Sequence, residues 1–318
     1  MLERPIGILD EHPDWSRRLT DALDARRLPY EKIDHSSHGF DPRDHDPHYA
    51  VVVNRTSPSS HTRGHGNVLF YAEAVLAHYE ALGVPVINPV RAYRFEKSKA
   101  LQLGLLERLG VRYPRAVVVN HREQLLKALD RIAFPLVVKP NVGGSGAGIV
   151  RFDSADALRT GLDTLDFGPD GTALVQEYVE PAEGTIIRVE VLDGRPLYAI
   201  RIVRESAGTF NLCPADICQT PAADPLAACP VDAKPGLTVA RFDAPQDALD
   251  IAVRLTREAG IDVGGVEYLV SARDGLAYFY DVNATSNFVA DAPAVLGFDP
   301  YPAFVDSIVA RATAGASR

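Results

Sequence analysis

The chain has 318 residues, 46% of them hydrophobic and 24% charged, with a formal net charge of −9 at pH 7. This is the composition of an ordinary globular protein with room for about two domains and a sizeable core. The acidic balance argues against nucleic acid or an anionic membrane surface as the bulk partner, while a local basic site for a small anion remains compatible with it.

No apolar run approaches the roughly 20 residues of a membrane helix, and no basic segment followed by an apolar one opens the chain. Cys213, Cys218 and Cys229 cannot all pair within one chain and lack zinc-motif spacing. Reduced thiols and a cytoplasmic location are therefore expected.

In chain order, the apolar run at 5–10 reads as a buried parallel strand. A helix follows Asp14, with Leu19, Ala22 and Leu23 on one face; strands follow at Tyr30–Ile33 and Ala50–Asn54. The segment 55–67 leaves the C-terminal end of a strand, where open α/β sheets bind ligands. Its Arg55, His61, Arg63 and His65 form either a solvated polar loop or the holder of an anionic substrate group. Asn67 is placed to cap a helix ending near Gly83, and Val84–Asn88 reads as a strand. The alternation predicts a βαβ domain over residues 1–90.

A helix is predicted over 97–109, ending at Gly110, with Lys97 and Lys99 in its first turn. Cations there oppose the helix dipole, and a bound phosphate would compensate. A strand within 111–120 and a helix over 121–130 follow. Then Phe134-Pro-Leu-Val-Val-Lys139-Pro-Asn-Val-Gly143-Gly144-Ser145-Gly146-Ala-Gly148-Ile-Val150 brings a lysine-bearing strand into a glycine-rich loop. Such a loop lets backbone N–H groups close on an anion. A second strand leaves it, so it is neither a P-loop nor a dinucleotide fingerprint, both of which open helices. The alternatives are a plain glycine-rich hairpin or a lid over a triphosphate.

After a helix capped by Ser154, residues 173–180 form a strand running into a bend, and 185–203 a hairpin about Asp193-Gly194. Residues 204–240 show no periodicity. A helix over 245–259 has Asp243 as its expected cap and Gly260 past its end. A hairpin at 261–283 then carries Glu267, Asp281 and Asn283, and the segment from 291 to about 312 is expected to be helical with a break near Pro300–Pro302. Asp281 and Asn283 share a strand face. A three-residue loop, Arg273-Asp274-Gly275, would set Glu267 opposite Asp281. Two carboxylates and an amide on one face are hard oxygen ligands suited to Mg²⁺; the bland alternative is a solvated acidic face.

These residues resemble the ATP-grasp superfamily, and within it the branch of the ribosomal-protein glutamate ligase and related amino-acid and peptide ligases. The likeness spans about residues 91–298, after a domain similar to the one that precedes the grasp. It implies an α/β and α+β architecture: a pre-grasp domain at 1–90, a subdomain with the lid at 91–178, and a subdomain with the metal site at 179–318. It implies Lys97 and Lys139 as phosphate-contacting lysines, with Lys139 also catalytic, and the lid Gly143, Gly144, Ser145 and Gly146. Gln176, Glu177, Tyr178 and Val179 resemble the adenine-reading hinge, with Glu183 at the ribose. Glu267, Asp281 and Asn283 resemble the magnesium ligands.

Two departures stand out: Asp281 where the family usually has Glu, and Ile186 where the branch has an acid. Asn211-Leu-Cys-Pro also lacks the relatives' Arg-Ser-Asn pattern.

The implied activity is ATP- and Mg²⁺-dependent joining of a carboxylate to an amine through an acyl phosphate, with release of ADP and phosphate. Arg201 is the candidate for stabilising the oxyanion. Arg55, His61, Arg63, His65, Arg188, Asn211, Ser286 and Asn287 are the candidate substrate contacts. The expected partners are small-molecule or peptide substrates, with neither nucleic acid nor membrane, and a homodimer is usual for the family. Modification of a protein or thiol acceptor, or a non-catalytic nucleotide-binding role, stays open as an alternative.

Overall fold

A computed structural model describes residues 2–12, 14–204, 210, 214 and 237–315. The first sheet and its helices comprise β1 (Ile6–Asp10), α1 (Arg17–Ala25), β2 (Tyr30–Asp34), β3 (Val51–Asn54), α2 (Val68–Ala81) and β4 (Val86–Ile87). Next come α3 (Val90–Glu96), α4 (Lys99–Arg108), β5 (Ala116–Val119), α5 (Arg122–Ala128), β6 (Leu136–Pro140), β7 (Val150–Phe152), α6 (Ala155–Gly161) and β8 (Ala173–Glu177). The remainder is β9 (Pro181–Leu192), β10 (Arg195–Arg204), β11 (Leu237–Arg241), α7 (Gln246–Ala259), β12 (Val263–Ser271), β13 (Ala277–Asn283), α8 (Ala292–Leu296) and α9 (Tyr301–Gly315).

The first sheet is parallel throughout, in the order β2-β1-β3-β4. All five residues of β1 are buried, because both faces are covered. Ile6, Ile8, Val51 and Val53 pack with Leu19 and Leu23 of α1 and Phe304, Val305 and Ile308 of α9. Leu9 and Val52 pack with Ala72, Val75 and Leu76 of α2. This two-sided burial is why these strands read as unbroken apolar runs.

The second sheet, order β5-β8-β6-β7, is antiparallel and packs one face on α5 and α6 through Leu125, Ala128 and Leu158. The third, order β11-β10-β9-β12-β13, is also antiparallel. One of its faces, with Ile187, Val189, Val191 and Val266, packs on α7 and on Ala92, Leu105 and Leu106 of α3 and α4.

Space divides the chain differently from its linear order. The 90–108 helices lie on the third sheet rather than with the lid sheet, and α9 folds back onto the first. Asn88 joins the parts: its amide bridges the backbone of Asp262, Val263 and Ala284.

The caps are partly redistributed. Ser154 accepts Ala157 N at 3.2 Å as expected, whereas Asn67 makes no side-chain cap bond. Pro245, not Asp243, occupies the cap position of α7. The helix expected over 97–109 starts at Lys99, with Ser98 as its cap.

Candidate active site

The second and third sheets face each other across a cavity of about 220 Å³, closed on one side by the loop from β6 to β7. Its apolar end is lined by Val137, Ile149, Val179, Pro181, Ile186 and Leu269, a slot of aliphatic side chains suited to a flat ring. Gln176, Glu177 and Tyr178 line the same end, where β8 passes into β9. Side chains pin this crossing: Gln176 Nε2 donates to Pro114 O at 3.3 Å, and Glu177 Oε1 accepts Arg115 N at 3.0 Å. Glu183 stands outside the cleft, exposed and at a positive φ of 55°.

Lys139, near the end of β6, is buried in the cleft wall. Burial, reinforced by the nearby Lys99 charge, lowers its pKa to about 8, partly offset by Asp281 and Glu267. The second lysine of the cleft is Lys99, not Lys97. Lys99 lines the cleft and its Nζ donates to Gly143 O at 2.9 Å. Lys97 points elsewhere: it pairs with Glu73 of α2, donates to Leu69 O and lies over the Phe70 and Tyr93 rings. The chain breaks between α3 and α4 here, with Lys97 closing α3 and Ser98 extended at φ −137° and ψ 103°, so the two lysines leave the backbone in different directions. Gly143, Gly144, Ser145 and Gly146 line the cleft; Ser145 and Gly146 take φ of 55° and 73°, a left-handed turn of the kind that presents successive backbone N–H groups to an anion.

The carboxylate wall is built by the last hairpin. Glu267 stands opposite Asp281, and Gly265 opposite Asn283, but not through the expected three-residue loop. Near the turn the register is Val270↔Ala277, and Ser271 N donates to Leu276 O at 2.9 Å as the last rung, which leaves four residues, 272–275, in the loop. That register alone would face Glu267 with Tyr280. An irregularity between Glu267 and Tyr268 inserts Tyr280 as an extra residue, and the pairing shifts by one. The bulge leaves both Tyr280 and Asp281 in the cleft wall.

Tyr280 OH donates to Glu267 Oε2 at 3.1 Å. Burial and the Asp281 charge raise the Glu267 pKa, while Arg188 and Tyr280 oppose the rise. Asn283 Nδ2 is buried without a partner among the described residues. Two carboxylates and an amide do not form a complete cage, and no trio of His, Cys, Asp or Glu able to hold a metal occurs among the described residues. This donor set fits Mg²⁺, which takes one or two carboxylates and completes its shell with substrate phosphates.

Arg188 of β9 links this wall to its neighbours. Its guanidinium donates to Glu190 Oε1 at 2.6 Å, Glu267 Oε1 at 2.8 Å and Ser286 Oγ at 3.3 Å. Arg201 does not reach the cleft. It pairs with Ile187, whose side chain lies on the opposite face of the sheet from Arg188, and is exposed there. Strand alternation makes this unavoidable.

The other expected substrate residues divide. Ser286 and Asn287 line the cleft, and Arg55 reaches it through Asn287, whose Oδ1 accepts its Nη2. Arg63 and His65 are instead engaged by Glu11, the arginine as a buried ion pair. His61 is tied to Pro58 O at 3.0 Å. Asn211 and the three cysteines lie outside the described residues. Sequence reading missed Glu96, whose buried carboxylate accepts Ala284 N and Thr285 Oγ1 and lines the cleft. It also missed Trp15, Ser57 and Ser59.

Three sheets around a cleft, with a glycine loop, paired lysines and a two-carboxylate wall, are the arrangement that the resemblance to the ATP-grasp superfamily implies. More particularly, residues 96–212 match the model of the RimK-like ATP-grasp domain. It is 24% identical to a "Probable alpha-L-glutamate ligase 2" of Shewanella amazonensis, covering 96% of both chains. It is 27% identical to the "Ribosomal protein bS6--L-glutamate ligase" of Escherichia coli over 75% of this chain and 70% of that one. Among solved structures, the ATP-grasp ligase PsnB with its minimal precursor superposes with a TM-score of 0.68 at 19% identity, over 97% of this chain and 100% of that chain. Another structure of the same ligase holds Mg and ADP. No helix among the described residues is long and apolar enough to cross a membrane.

Proposed function

We propose that the protein is an ATP-dependent ligase that joins a substrate carboxylate to an amine through an acyl phosphate. One observation carries this reading: Lys99 and Lys139 face Glu267 and Asp281 in a single lidded cleft whose far end is an apolar slot. The slot suits adenine, and the charged end suits a triphosphate. Glu267, Asp281 and Asn283 would hold Mg²⁺, which when bound neutralises phosphate charge.

The chain's own groups do the rest. Lys139 and Lys99 hold phosphate oxygens while a substrate carboxylate oxygen bonds to the γ-phosphorus and ADP departs. The amine nitrogen then bonds to the acyl carbon, phosphate leaves, and a proton passes to solvent. Arg188, rather than Arg201, is the cation placed to stabilise charge developing on the acyl oxygen. The lid at 142–149 keeps water from the acyl phosphate. The relatives' names make L-glutamate the first amine to test.

The experiment is product analysis with Mg²⁺-ATP, L-glutamate and a panel of carboxylates, alongside Lys139→Ala. ADP and phosphate that require both substrates and vanish in the variant are expected. AMP as the product would overturn the acyl-phosphate route.

A further inference from the structure

Strand β13 carries Asp281 and Asn283 and ends its sheet, in the order β11-β10-β9-β12-β13, so a neighbouring strand covers only one of its edges. The free edge of a strand presents a row of backbone N–H and C=O groups that need partners. Here side chains supply them. Gln102 Nε2 donates to Val282 O at 2.9 Å, and Gln102 Oε1 accepts Val282 N at 3.2 Å. Glu96 Oε2 accepts Ala284 N, Glu96 Oε1 accepts Thr285 Oγ1 at 2.8 Å, and Asn88 Nδ2 donates to Ala284 O.

The Gln102 amide thus makes the pair of bonds that a residue of an adjacent strand would make. Its other N–H donates to Phe95 O at 2.8 Å, so both amide hydrogens are used and the orientation of the group is fixed. Gln102 and Glu96 are buried, 2% and 5% exposed.

The place of these bonds gives them a purpose. Val282 stands between Asp281 and Asn283, and its side chain lies in the core with Leu105 and Leu106 of α4. Asp281 and Asn283 project from the other face into the cleft. Lys99 lies between Glu96 and Gln102 in the chain and lines the same cleft, whereas Gln102 does not line it. The bond from Gln102 to Phe95 O also spans the break between α3 and α4 at Ser98. One short stretch, 95–102, therefore bears the cleft lysine and grips the strand of the carboxylate wall.

We propose that Gln102 and Glu96 are positioning residues of the phosphate and metal centre: they replace the missing strand beside β13 and hold Asp281 and Asn283 in register with Lys99. The inference rests on the reading of Glu267, Asp281 and Asn283 as magnesium ligands, and its test needs no turnover.

Amide hydrogen exchange in the parent protein tests the edge contacts alone. The N–H groups of Val282 and Ala284 face the free edge, yet should exchange as slowly as those of β12 in the sheet interior. Fast exchange there overturns the proposal without any variant. ADP affinity is then measured by calorimetry across a Mg²⁺ series and in EDTA. Gln102→Met keeps the length of the side chain and removes its three bonds, and Glu96→Ala removes two. Each should raise half-saturating Mg²⁺ about 10–100-fold, the usual loss when support for a metal ligand is removed. ADP affinity in EDTA should stay within about threefold, which a generally loosened fold would not allow.

Glu96→Gln separates position from charge. Its oxygen can accept Ala284 N and its NH₂ can donate to the Thr285 hydroxyl, so the parent's Mg²⁺ requirement should return. A Glu96→Gln protein as impaired as Glu96→Ala would make the carboxylate charge the cause and overturn the proposal. Folded Gln102→Met and Glu96→Ala proteins with the parent's Mg²⁺ requirement would overturn it as well, and leave the magnesium reading intact. Only a parent whose ADP affinity ignores Mg²⁺ would remove the magnesium reading, and the positioning role with it.

Discussion

The guanidinium of Arg188 occupies the space that a side chain at position 265 would fill. A Cβ built on Gly265 would lie 2.3 Å from Nη2 and 2.4 Å from Cζ of Arg188. Gly265 pairs with Glu190 on one side and Asn283 on the other, so the arginine lies flat across β12 between its two carboxylate partners. A glycine in a strand interior marks such a close approach.

Gly265→Ala should therefore displace Arg188 while leaving the hairpin paired. If Arg188 stabilises the acyl oxygen, kcat should fall about 10²–10³-fold, the usual loss for one such donor. Overpacking should also cost about 1–3 kcal/mol of stability. Steady-state kinetics beside a thermal melt separate the two effects. A folded variant with kcat within threefold of the parent would exclude Arg188 from the chemistry.

Lys97 and Lys99 make a second, sharper contrast. Lys99→Ala removes a cleft cation and should raise KM for ATP about tenfold or more, as loss of one charged contact does. Lys97→Ala breaks a contact with Glu73 outside the cleft and should leave that KM within about threefold. The reverse ranking would restore the assignment made from sequence.

That contrast shows what the sequence could and could not convey. Period and punctuation marked the strands of the first sheet, most plainly β1 and β3, whose two-sided burial leaves continuous apolar runs, while β2 is a largely exposed edge strand. They also marked the lid, because few structures other than an anion loop need Lys139 followed by that many glycines. Yet Lys97 and Lys99 sit in one short stretch, and choosing between them requires knowing that the helix breaks at Ser98 and how α3 and α4 then pack, a tertiary fact. Arg201 failed for a similar reason: parity along β10 was readable, but which face held the cleft was not. The Glu267–Asp281 pairing was expected from a three-residue loop. It arises instead from a four-residue loop corrected by a bulge at Tyr280, two offsetting deviations that no local pattern displays. Trp15 carried no motif at all.

Lys139 sets a limit on the alkaline side. Burial and Lys99 lower its pKa to about 8, and only the protonated amine attracts phosphate. In the free enzyme, kcat/KM for ATP should fall as pH rises through about 8, with kcat at saturating ATP less affected because bound phosphate holds the proton. The stability effect has the opposite sign. A lysine whose pKa is lower folded than unfolded binds fewer protons in the native state, so stability should rise from about pH 8 toward the ordinary lysine value near 10.4. A flat kcat/KM profile from pH 7 to 9 would contradict the placement of Lys139 at the phosphates.

Tyr280 offers the last test, because the bulge brings its hydroxyl to Glu267 Oε2. That bond favours the ionised carboxylate against burial and the Asp281 charge, both of which raise the Glu267 pKa. Tyr280→Phe removes the donor and leaves the ring in place, so the pKa should climb further. Mg²⁺ requires the carboxylate ionised. The acid limb of activity should move to higher pH, and half-saturating Mg²⁺ near pH 7 should rise about threefold to tenfold, the range of one hydrogen bond to a charged group. Raising the pH should restore the parent's Mg²⁺ requirement, which a merely loosened hairpin would not allow. An unchanged Mg²⁺ titration at pH 6.5, where the effect is largest, would show that Glu267 is not a metal ligand.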